Sequence, residues 1–252
     1  MIIRPRLAPA LLAAVLVACT HPTPGLEPGP ELRGWPGGWV DWPAAGEEAA
    51  RVLSGYLAID TRNPPGNESA GARYLAALLA REGIASQLVE HAPGRSSLIA
   101  RVRGTGAAPP LCLLSHIDVA EANAGEWPAD KGPLSGRIEG GMVWGRGALD
   151  MKGMGAIELM TLLWIKRLEV PLRRDLILLA VADEEVENRG MQELVERRWK
   201  QLGCSHLVNE GGLGLKGGLF PGQTVFAISV AEKGVLWLKM IARGQGGHGS
   251  CV

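Results

Sequence analysis

His116 and Asp118 stand one residue apart just beyond the apolar run Leu111-Cys112-Leu113-Leu114. Asp183, Glu184 and Glu185 follow the apolar run 176–182, Glu210 follows Leu207-Val208, and Asp150 lies where a long irregular loop meets a helix. In open α/β sheets ligands bind beyond the carboxyl ends of the strands, so three strands bring an imidazole and several carboxylates to one rim. Carboxylates gathered there repel one another unless a cation lies among them, and a mixed His/Asp/Glu set suits zinc. Each signal alone has a plainer reading. A His-x-Asp triplet arises by chance, a strand-end histidine is often structural, Asp-Glu-Glu is often a solvated turn, and Asp150 alone is a helix cap. Their joint placement favours a metal site.

The elements that must position these residues alternate along the chain. Residues 47–58 and 69–81 have helical apolar spacing, separated by the breaker Asn63-Pro64-Pro65-Gly66. Residues 84–90 and 97–102 read as strands, 111–114 and 176–182 as strands buried on both faces. A loop over 119–149 precedes a helix over 151–168; a helix over 191–201, a strand over 206–208 and strand-like runs at 225–230 and 235–241 complete the pattern. This order predicts an α/β fold with a largely parallel central sheet and helices on both faces, plus the first strands of an incomplete α+β lid.

Composition narrows the function. Apolar residues form 46% of the 252 and charged residues 21%, which excludes a disordered or fibrous chain. Lys plus Arg (26) equals Asp plus Glu (26), which removes the electrostatic footprint of a nucleic-acid binder, and two Phe and two Tyr argue against a base-stacking platform. Arg4 and Arg6 precede an apolar stretch over 7–17 that ends in Leu16-Val17-Ala18-Cys19. That stretch is short for a bilayer-spanning helix and reads as a signal peptide over 1–19 resembling the bacterial lipobox, with Cys19 as the lipidated residue. An ordinary secretory signal is the alternative. A Pro/Gly-rich tether over 20–46 follows. The expected location is thus the cell envelope, as an exported bacterial lipoprotein held to a membrane. Cys112 reads as a small core residue, and the irregular cysteine spacing implies no disulfide framework.

Ser115-His116-Ile117-Asp118-Val119, Trp127-Pro128 and the run Gly145-Arg146-Gly147-Ala148-Leu149-Asp150-Met151-Lys152-Gly153 closely resemble the zinc aminoacylase/carboxypeptidase family. That family includes aminoacylase, acetylornithine deacetylase, succinyl-diaminopimelate desuccinylase and glutamate carboxypeptidase. Asp183-Glu184-Glu185, Asn209-Glu210-Gly211-Gly212, Glu232-Lys233-Gly234 and Gly247-His248-Gly249-Ser250 continue the match in order, most like the carboxypeptidase S branch. The resemblance covers residue 47 to the end and implies a metallopeptidase or aminoacylase-type hydrolase. By that resemblance His116 and Glu210 bind one ion, Glu185 binds a second and Asp150 bridges both. The two ions are zinc, with cobalt or manganese as alternatives. Asp118 orients His116, Glu184 is the general base, and His248 reaches from a lid into a partner subunit's site to stabilise the oxyanion. The substrates implied are small N-acyl amino acids or peptides, and a homodimer is expected only with a complete lid.

The same resemblance divides the chain into a catalytic part over 47–233 and the start of a lid over 234–252. Family members also carry a final zinc-ligating histidine and a lid arginine with no counterpart here, so the expectation is a truncated, inactive chain. Two rival readings exist. Gly212-Leu213-Gly214-Leu215-Lys216-Gly217 fits a dinucleotide-binding fingerprint, but Gly218, Pro221 and Gly222 forbid the helix it requires. A non-catalytic surface lipoprotein that keeps a metal-binding module is the alternative function.

Overall fold

A computed structural model describes residues 40–211, 213–218, 220–228 and 238–241. Cys19, His248 and the motifs at 232–234 and 247–250 lie outside these residues, as do residues 235–237 of the run at 235–241. The chain divides into two compact units between Asn209 and Glu210.

The first unit opens with α1 (Trp42–Leu57). The Asp41 carboxylate accepts the Ala44 N–H at 3.1 Å and Pro43 occupies the first turn, so the helix starts five residues before the apolar periodicity suggests. Then come α2 (Glu68–Arg81), β1 (Ser86–Ala92), β2 (Arg95–Val102) and β3 (Leu111–His116). The long loop holds only a two-stranded ribbon, β4 (Ile138–Glu139) with β5 (Met142–Val143), and one 3₁₀ turn at Ala124–Glu126. It leads into α3 (Lys152–Arg167), β6 (Leu176–Val181), α4 (Arg189–Arg197), α5 (Trp199–Leu202) and β7 (His206–Val208). The sequence reads α4 and α5 as one helix. They break at Arg198, and the second ends at Gly203, whose φ of 66° suits a helix C-terminus.

The five-stranded sheet has the order β1-β2-β6-β3-β7. β3 pairs in parallel with β6 and β7, whereas β2 runs antiparallel to both β1 and β6. The sheet is therefore mixed, with four strands pointing one way and β2 reversed because a tight turn joins it to β1. All six residues of β6 are buried, as a strand covered on both faces requires. Leu176, Leu178 and Ala180 pack under α1, α2 and α3 with Tyr56, Leu75, Leu79, Leu159 and Leu162. Ile177, Leu179 and Val181 pack on the other side with Leu194 and Leu202. Among the described residues, no helix is long and apolar enough to cross a membrane.

Cys112 and Cys204 form a disulfide with Cα atoms 5.8 Å apart, which the cysteine spacing did not reveal. The physical reason is tertiary. β7 lies beside β3 with Leu207 opposite Cys112, so the chain entering β7 brings Cys204 alongside.

The second unit contains an antiparallel hairpin of β8 (Leu213–Lys216) and β9 (Thr224–Ala227), with Leu215 opposite Val225. The strand expected at 225–230 thus begins one residue earlier. The glycine-rich run that mimics a dinucleotide fingerprint enters a strand, not a phosphate-binding helix.

Candidate metal centre

His116 is the last residue of β3, opposite Val181 of β6, and its side chain is buried. The Nδ1 atom lies 2.9 Å from the main-chain carbonyl of Asp118. A carbonyl only accepts, so Nδ1 carries the proton, and the lone pair of the neutral ring is on Nε2. That Nε2 faces Asp150 Oδ1 at 3.1 Å and Glu184 Oε2 at 3.8 Å.

Asp118 meets His116 more closely through its main-chain carbonyl than through its carboxylate. Its carboxylate is 3.6 Å from His116 Nδ1, farther than its own carbonyl. Both carboxylate oxygens instead accept main-chain N–H groups across the rim: Oδ1 from Glu184 at 3.1 Å and Oδ2 from Glu185 at 3.0 Å. Asn63 Nδ2 adds a 2.9 Å bond to Oδ2. Burial by itself raises the Asp118 pKa, but the nearby His116 ring and the hydrogen bonds from Asn63 and these two amides outweigh it and hold the carboxyl below its ordinary range. Asp118 is thus an anionic staple between the β3 and β6 strand ends.

Glu185 Oε1 accepts the Ala120 N–H at 2.9 Å. Burial first, and then the negative charge of Asp150, push its carboxyl up from the usual range. Donor atoms of His116, Asp150 and Glu185 all lie within 4.8 Å of one another. A buried nitrogen lone pair and two carboxylates, one of them raised by its neighbour's charge, form a set that a divalent cation relieves. The residues fit such an ion. Asp150 is well exposed at 67% of its side chain, which leaves the centre open to solvent and to a substrate. Glu210 is the second residue beyond β7 and the first of the second unit.

Three residues that sequence reasoning missed support the rim. Asn63 was read only as part of a breaker, yet its amide bridges Asp118 and Asp183 at 2.9 Å each. Glu68 and Arg95 join it, and their contacts span 27 to 115 positions, beyond any local signal.

An open α/β sheet with convergent His, Asp and Glu donors at the carboxyl ends of its parallel strands defines a candidate metallohydrolase domain. The chain matches the model of peptidase family M20/M25/M40 over residues 112–243, and it belongs to that family. It is 30% identical to aminoacylase-1 of Sus scrofa over 201 residues, covering 77% of this chain and 47% of that protein. It is 34% identical to an N-fatty-acyl-amino acid synthase/hydrolase of Mus musculus, covering 66% and 33% respectively. The fold resembles an M20 family metallo-carboxypeptidase from Sulfolobus solfataricus, with a TM-score of 0.58 at 22% identity over 66% of this chain and 41% of the other. The chain spans at most about half the length of these relatives.

Proposed function

We propose that the protein hydrolyses the amide bond of small N-acyl amino acids or short peptides with the help of bound divalent metal ions, zinc by preference. The observation that carries this reading is the convergence of His116, Asp150 and Glu185 donor atoms within 4.8 Å at one rim. The chemistry printed in the names of the pig aminoacylase and the mouse acyl-amino-acid hydrolase supports the substrate class. In the full reading His116, Asp150, Glu185 and Glu210 would together hold two ions.

Ions bound there lower the pKa of water and polarise a carbonyl. The chain's own groups do the rest. Glu184, its side chain 40% exposed and 3.8 Å from His116 Nε2, takes the proton of the attacking water and returns it to the leaving amine. His116 is held in one tautomer by the Asp118 carbonyl, and the Asp118 carboxylate keeps the Glu184-Glu185 main chain in place. His248 of a second subunit is the proposed oxyanion donor.

Purified chain is expected to hold transition metal by elemental analysis, to lose it to EDTA, and to bind none when His116→Ala is introduced. Where the wild type releases free amine from acyl amino acids, Glu184→Gln is expected to keep the metal and lose that release. A wild-type chain without bound metal, or a Glu184→Gln variant with full turnover, overturns the proposal.

Export and membrane attachment through Cys19 are part of the same reading. The lipobox-like sequence supports it, as does the Cys112–Cys204 disulfide, since such bonds persist in oxidising compartments. Labelled fatty acid incorporated into the wild type but not into Cys19→Ala is the expected result; equal labelling refutes it.

A further inference from the structure

The turn that delivers Glu184 and Glu185 is locked from behind by groups far away in sequence. Asp183, its first residue, has φ 69°, a left-handed conformation that a residue with a side chain seldom adopts. Its N–H donates to Glu68 Oε1 at 3.1 Å. Its Oδ1 accepts Asn63 Nδ2 at 2.9 Å and Arg95 Nη2 at 2.7 Å, and its Oδ2 accepts the Arg189 N–H at 3.2 Å. Four bonds thus hold one residue in a conformation it would otherwise leave.

Arg95 anchors the arrangement. It begins β2, next to the Gly94 turn, and its guanidinium forks onto Glu68 with Nε–Oε2 at 2.5 Å and Nη2–Oε1 at 2.6 Å. It also donates from Nη1 to the Pro65 carbonyl at 3.1 Å. The Glu68 and Asp183 side chains are 0% and 5% exposed, so two carboxylates are buried against one arginine whose side chain is only 18% exposed. Such a pair of anions needs a cation with planar, multiple donors, which lysine's ammonium does not offer. Space confirms the fit. A Cβ on Gly66, where φ is 80°, would lie 2.4 Å from Arg95 Nε.

We propose that Arg95, acting through Glu68 and Asp183, is a positioning residue for the metal centre. It sets where Glu184 and Glu185 stand, although it touches neither. The chain of contacts is short. Arg95 holds Asp183, Asn63 ties Asp183 to Asp118, and Asp118 holds the amides of Glu184 and Glu185. Without Arg95 the two buried anions repel each other and separate, and the turn following Asp183 moves with them. This rests on the reading of Glu185 as a metal ligand.

The test is Co²⁺ titration of the full 252-residue chain, followed by visible absorbance, with thermal melting of the metal-free protein alongside. Arg95→Met is expected to weaken Co²⁺ binding about 10–100-fold, the range usual for loss of a group that supports a ligand. Arg95→Lys, which keeps the charge but loses the fork, is expected to fall between, with a melting temperature near wild type. Arg101→Met is the structural control. Arg101 makes a comparable part-buried pair with Asp175 at 2.7 Å, at the opposite end of β2, so its loss lowers the melting temperature and leaves Co²⁺ affinity unchanged. Should Arg95→Met fail to fold, Arg95→Lys decides the matter. Wild-type binding with Arg95→Lys and Arg101→Met indistinguishable from it overturns the positioning role alone. A wild-type chain that takes up no Co²⁺ overturns the metal reading itself, and the positioning role with it.

Discussion

Glu158 provides the sharpest test of the core's electrostatics. It lies in α3 beside Ser115 of β3, 4% exposed, and neither carboxyl oxygen finds a hydrogen bond of acceptable geometry. Burial pushes its pKa from 4.5 up to about 7, against a smaller downward pull from the Ser115 hydroxyl. An acid whose pKa is higher folded than unfolded binds more protons in the native state between those two values. Its favourable neutral form is fully present below pH 4.5, and stability is lost as pH rises through about 7. The difference of about 2.5 pH units is worth about 3 kcal/mol at roughly 1.4 kcal/mol per unit. Glu158→Gln cannot ionise and so escapes this loss. Urea unfolding of both metal-free proteins from pH 4 to pH 8.5 is the assay. Asp118, Asp60 and Asp175 have lowered pKa values and act with the opposite sign at lower pH, but they are common to both proteins and cancel in the difference. Relative to wild type, the variant is expected to gain about 3 kcal/mol between pH 4.5 and 7.5. A difference that stays flat across this range refutes the assignment of an unpaired, buried carboxyl.

Two further outcomes follow from packing. Cys204→Ser removes a crosslink closing 92 residues, and is expected to cost about 2–4 kcal/mol by denaturant melts while freeing one thiol titratable in denaturant; a thiol count that falls by one instead of rising by one refutes the bond. Gly71→Ala places a Cβ 2.6 Å from Ile117 Cγ2 in the α2 interface and is expected to destabilise by about 1–3 kcal/mol. Gly46→Ala meets nothing within 4 Å in α1 and is expected to stabilise by about 0.5–1 kcal/mol, so equal signs for the two refute the packing described.

The chain on its own determined the alternation of helices and strands, the doubly buried character of β6, and which residue types follow strand ends. These are local properties, written in the period of apolar residues and in the residue just past each run. His116, Asp150 and Glu185 were legible for that reason, and the family resemblance sharpened their roles. The tertiary structure alone decided the reversal of β2, the Cys112–Cys204 bond, and the support of the rim by Asn63, Glu68 and Arg95. It also showed that Asp118 steadies His116 through its carbonyl while its carboxylate staples two strand ends. Such pairings join residues up to 120 positions apart, and they are selected by the fit of buried polar groups after the layers have packed, which no short stretch of sequence encodes.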